Sequence, residues 1–198
     1  MICRRETKLD GVPPDELQAR LRALLPQESD LEEAFLDYTL KNHGAVVEHG
    51  EFVDSEGSTY RVGRLTSFLR NPGELTGTPL RDWEANTDGD LRIRYSVYFM
   101  GSIANIDQGM GDKLIPIGVL YWGEHHPDEM ELTHANLLAL DVSKPGTPSV
   151  VVWFNELGVE EAFRAEEEGL EDLDHSRMTT RVAPSFAAFL SSFSPGPG

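Results

Sequence analysis

The sequence predicts a single α+β domain, and three observations carry that class. First, LIPIGVLYWGE (Leu114–Glu124), NLLALDV (Asn136–Val142) and SVVVWFNE (Ser149–Glu156) are the most apolar short runs in the chain. They are rich in Val, Ile, Leu and aromatics, too short for lone buried helices, and separated by polar or Pro/Gly breaks. They therefore read as consecutive strands of a sheet core. Second, helical periodicity flanks them: Leu17, Leu21, Leu24 and Leu25 near the start, and Phe186, Phe189, Leu190 and Phe193 near the finish. Third, 198 residues suffice for one substantial core and demand no second domain.

In chain order, residues 1–12 read as a flexible tail, 13–193 as the domain and 194–198 as a second flexible tail. Pro14 opens a helix with Asp15 and Glu16 at the positive end of its dipole, and Pro26 stops it. Ser29 is expected to start a second helix, with Glu32 completing a capping box. Leu31, Ala34, Phe35 and Tyr38 form its buried stripe, and Gly44 ends it in a left-handed turn. AVVEHGEFV (Ala45–Val53) reads as a hairpin about His49-Gly50, and Ser58–Leu65 as a strand. Residues 71–89 are dense in turn formers and are expected to wrap the surface. Asp90–Met100 fits two periods: Ile93, Tyr95, Val97 and Phe99 alternate, while Leu91, Tyr95, Tyr98 and Phe99 stripe a helix. From Leu157 a short helix is expected to turn Val159 and Phe163 inward, with Glu160 pairing Arg164.

Charge narrows the function. The 34 acidic residues outnumber 17 basic ones, for a net charge of −17. Nucleic acid and anionic membranes are polyanions that basic patches neutralise, so neither is an expected partner; a basic protein is. Residues 155–175 alone hold nine acidic side chains against one arginine. Cys3 is the only cysteine, which excludes an intrachain disulfide and a thiolate metal cluster. No apolar segment follows Arg4-Arg5 as in a secretory signal, and no run reaches the roughly 18 to 20 apolar residues of a membrane span. A cytoplasmic protein without cofactor is expected.

The candidates for chemistry are few. Glu124, His125, His126, Asp128 and Glu129 form an EHHPDE cluster. Adjacent imidazoles on a strand or loop do not easily share one ion, and His134 joins only if the loop folds back. A solvated acidic loop is the simpler reading, with a metal-dependent hydrolase as an alternative. No G-x-S-x-G elbow presents a serine, and the Gly109-Met110-Gly111 segment lacks the lysine and hydroxyl of a phosphate loop. Binding is better supported. Trp122 and Trp153 sit near the ends of two core strands, where a partly exposed Trp would anchor a partner. The acidic segment of Glu156, Glu160, Glu161, Glu166, Glu167, Glu168, Glu171, Asp172 and Asp174 is the first choice of interaction surface, joined by Glu124, Asp128 and Glu129.

Several pieces, in this order, carry a family resemblance. FLDYTLKNHG (Phe35–Gly44) resembles a glycine-terminated helix end, with His43 where a first glycine would stand. LIPIGVLYWGE, LLALDV and GTPSVVVWFNE follow as strands, and VAPSFAAFLSSF (Val182–Phe193) as a terminal helix. Together the chain resembles the SUKH superfamily, also called the SMI1/KNR4 family. That resemblance implies a mainly antiparallel, twisted sheet flanked by N-terminal and C-terminal helices, and a helix before the IPI strand, which favours helix for Asp90–Met100. It also implies a protein without enzyme activity. Many bacterial members are immunity proteins that neutralise toxins, often nucleases, and others are interaction scaffolds. The partner expected from it is a basic toxin domain, because nucleases grip phosphates; the alternative is a scaffold or regulatory module.

Overall fold

In the computed structural model the described residues are 2–4, 12–71, 74, 95–100, 113–121, 123–127, 135–170 and 174–193. The three apolar runs form β5 (Leu114–Leu120), β6 (Leu137–Asp141) and β7 (Ser149–Trp153), central strands of an eight-stranded sheet. Preceding them are β1 (Ile2–Arg4), α1 (Pro14–Leu24), α2 (Glu33–Asn42), β2 (Val46–His49), β3 (Glu51–Val53), β4 (Thr59–Leu65) and α3 (Val97–Met100). After them come α4 (Asn155–Glu168), α5 (His175–Met178), β8 (Thr179–Ala183) and α6 (Phe186–Ser192). The sheet order is β1-β2-β4-β5-β6-β7-β8 with β3 beside β4, and every ladder between named strands is antiparallel. The expected α+β class and helix-flanked antiparallel sheet are what the chain adopts.

The central strands are apolar without alternation because both faces of the sheet are covered. Ile115, Ile117, Leu120, Leu138, Leu140, Val150 and Val152 face one core, closed by Leu17 and Leu21 of α1, Phe35 of α2, and Phe186 and Phe189 of α6. Leu114, Val119, Leu137, Ala139, Val151 and Trp153 face a second, with Tyr95, Met100 of α3 and Met178 of α5. Between Pro116 and Gly118 the β5–β6 register shifts, which lets Ile117 and Leu120, three residues apart, share one face. Arg20 is buried on the stripe of α1 that holds Leu17 and Leu21. Its guanidinium donates to the Phe68 carbonyl at 2.6 Å and to Glu74 Oε1 at 2.8 Å.

Several expectations change. Ala45–Val53 is no hairpin: β2 and β3 both pair with β4, and the chain runs on through Gly50. That glycine serves close approach rather than a turn, since a Cβ there would lie 2.5 Å from Val47 Cγ1 and 2.9 Å from the Val62 carbonyl oxygen. The real turn is Asp54–Ser58, where Asp54 Oδ1 accepts from the Glu56 and Ser58 amides and Gly57 takes φ 90°. The capping box fails as well. Helix α2 starts at Glu33, and the Glu32 carboxylate accepts from the amides of Phe186 at 2.7 Å and Ala187 at 3.2 Å, capping α6 instead. Residues 2–4, expected in a flexible tail, form β1. Gly44 takes its left-handed turn at φ 72°; of Asp90–Met100, Val97–Met100 is helical as the resemblance implies, whereas Tyr95 lies in a turn and Ser96 bridges to Ser67. The expected surface segment of 71–89 lies outside the described residues except 71 and 74, as do 90–94 and 194–198.

Candidate functional site

Helix α4 carries most of the acidic segment and runs longer than the short helix expected. It begins where β7 ends, and the Asn155 amide donates to Asn136 Oδ1 at 3.1 Å, tying it to the start of β6. It ends where Gly169, at φ 65°, lets the Leu170 amide reach back to the Ala165 carbonyl at 2.8 Å. Its buried residues are Asn155, Gly158, Glu161 and Ala165, a narrow stripe of small or polar side chains. The large apolar residues sit elsewhere. Leu157 is 40% exposed and Phe163 is 63% exposed, so the expected inward orientation of Phe163 is wrong.

The acidic side chains divide into two groups. Glu161 is buried and belongs to the fold. It holds Arg164 through a bidentate contact whose Nε arm is 3.0 Å, lies 3.6 Å from Arg177 Nε, and accepts the Asp174 amide at 3.3 Å. Arg164, donating to its carboxylate, holds Glu161 at a pKa of about 2 against the opposing pull of burial. Glu161 is therefore corrected from a partner contact to an internal brace. Arg164 bonds Glu168 at 2.6 Å as well, so the expected Glu160 pair is replaced by Glu161 and Glu168. Asp174, though exposed, accepts from the Ser176 hydroxyl at 2.6 Å and from its amide at 3.1 Å, capping α5; those bonds, the hydroxyl's first, keep its carboxyl below the usual range. The second group, Glu156, Glu160, Glu166, Glu167 and Glu168, is exposed along α4. Glu171 and Asp172 lie outside the described residues.

Trp153 is also corrected. It is 1% exposed in the second core, on the same face as Val151, and offers a partner nothing. Trp122, Asp128, Glu129 and His134 lie outside the described residues. Glu124 is exposed on the loop after β5. The pairings of Val119 with Leu137 and of Leu137 with Trp153 put that loop at the same end of the sheet as the start of α4. The two are separated by one intervening strand, roughly 10 Å in all.

In the described part of the histidine loop, Glu124 and His125 are exposed while His126 and Pro127 are packed. Pro127 rests on Gly63, where a Cβ would come within 2.4 Å of its ring, and its carbonyl accepts from Tyr95 Oη at 2.5 Å. His126 meets Tyr121 edge-on at 5.1 Å, with Arg61 above the same ring at 4.1 Å. Among the described residues no three His, Cys, Asp or Glu side chains are grouped to hold a metal, and no helix is long and apolar enough to cross a membrane. A void of about 20 Å³ beside Thr39, His43, Thr66 and Phe186 has the size of one water molecule rather than a substrate.

The sequence reading missed the outward Phe163. Its signal was present: Glu160, Glu166 and Glu167 stand at i−3, i+3 and i+4 from it, the positions of its helical neighbours. Comparison of the chain with family models, curated proteins and solved structures finds no match.

Proposed function

We propose that the protein is a non-enzymatic binding protein of the immunity type, which neutralises a basic toxin by docking it on the exposed acidic face of α4. One observation carries this reading. Glu166, Glu167 and Glu168 occupy the last turn of α4, which contains no basic residue. The C-terminal end of a helix is its negative pole, where an uncompensated carboxylate costs about 0.3–1 kcal/mol. Of these three, Arg164 pairs with Glu168. Glu166 and Glu167 thus oppose the stability of their own helix, and solubility alone could be met by acidic residues elsewhere. What such a cluster supplies is a field that attracts a basic partner and speeds its encounter. A nuclease-type toxin is basic where it grips phosphates, so an acidic helix seated there would block its substrate. The resemblance to SUKH immunity proteins supports the same reading.

On this reading an adjacent gene is expected to encode the toxin domain, and co-expression with it is the test. The expected result is rescued growth and a complex that co-elutes on size exclusion, both weakened when Glu156, Glu160, Glu166 and Glu167 are changed to Gln. No rescue and no complex would overturn it.

A further inference from the structure

Helix α4 leaves its largest apolar side chain in solvent. The stripe it turns toward the domain is Asn155, Gly158, Glu161 and Ala165, whereas Phe163 is 63% exposed. The other large apolar side chains exposed among the described residues are Val53 at 53%, Leu170 at 45% and Leu157 at 40%, so Phe163 leads them. The helix geometry places Glu160 one turn before it and Glu166 and Glu167 one turn after it, all three exposed. An aromatic centre with a charged rim is the composition of a binding hot spot rather than of a solvated face.

We infer that Phe163 is the anchor of this surface, and that it docks against an apolar patch flanked by lysine or arginine on a basic protein. The inference rests on the proposed acidic binding face and adds its centre and the chemistry of the complement. Charge selects the occupant. A second copy would bring the same glutamates together, nucleic acid and anionic lipid would repel them, and an uncharged apolar surface would leave them desolvated without partners. Flanking cations satisfy the rim while the apolar centre covers the ring, and an arginine can also lie on the ring face.

Two synthetic peptides of equal length and charge test this, one alternating lysine with leucine at helical spacing and the other replacing each leucine by serine. Binding is measured by fluorescence anisotropy with dye-labelled peptides, and circular dichroism checks that each variant keeps its fold. The wild-type protein is expected to bind the leucine peptide at least about tenfold more tightly. Phe163→Ser should abolish that preference while leaving the serine peptide's affinity unchanged. The triple variant Glu160→Gln, Glu166→Gln, Glu167→Gln should weaken both peptides. Equal affinities for wild type, or a preference that survives Phe163→Ser, would overturn the anchor alone. Insensitivity of both peptides to the triple variant would overturn the acidic face beneath it. A wild-type dimer on size exclusion that Phe163→Ser dissociates would assign the ring to a second copy and overturn the basic partner.

Discussion

Glu161 shows how a carboxylate within an acidic segment can serve the fold. In the folded chain Arg164 bonds it, with the Asp174 amide and Arg177 adding to the effect, and its pKa falls from the ordinary 4.5 to about 2. The folded state therefore binds the proton less readily than the unfolded chain. This contribution to stability is complete above pH 4.5 and is lost as pH falls toward 2. Glu161→Gln is expected to unfold at a lower temperature than wild type at pH 7. The gap should narrow through the window from 4.5 to 2, followed by circular dichroism melts at each pH. Sequence alone could not separate Glu161 from Glu160. The two are adjacent, and the distinction is a rotation of one residue about a helix whose inward face is marked by small side chains instead of large ones. Trp153 was illegible for a related reason. On a strand covered on both sides, no alternation reveals that it points into a core beside Met178.

Elements were read well where the pattern was local and poorly where a partner was distant. The apolar runs gave β5, β6 and β7, and the proline before Asp15 gave the start of α1. The His49-Gly50 pair misled, because glycine suits both a turn and a close backbone approach, and only the neighbouring strand decides between them. Here β4 decides it. Gly50→Ala would push a methyl group against Val47 and the Val62 carbonyl. It is expected to cost about 1–3 kcal/mol by overpacking, read as a lower urea midpoint with an unchanged slope. Phe189→Ala, at the contact of α6 with the sheet, should cost about 3–5 kcal/mol in the same measurement, because this ring is fully buried between Phe52 and Phe186.

At the scale of the molecule, the acidic surface and the stability of α4 pull in opposite directions. Replacing Glu166 and Glu167 by Gln should raise the melting temperature, with a gain of about 0.3–1 kcal/mol per residue at low salt, while weakening capture of a basic partner. Differential scanning calorimetry and binding in parallel would show both signs; a gain in affinity would contradict the role given to the helix. The fold class itself was legible because covered strands and amphipathic helices leave different periods in the sequence. What holds the two ends of the chain together was not. The Glu32 carboxylate meets the amides of Phe186 and Ala187 across more than 150 residues, whereas along the sheet path from β4 to β8 each strand pairs with its sequence neighbour. The two kinds of contact differ in time as well as in space. Neighbouring strands can zip together one after another, but a clasp across almost the whole chain closes only after they have done so. Glu32→Gln should therefore accelerate unfolding by roughly fivefold, for a cap worth about 1 kcal/mol, and leave the refolding rate nearly unchanged. In a stopped-flow chevron only the unfolding limb would move, making this clasp a determinant of how long the native state lasts more than of how fast it is reached.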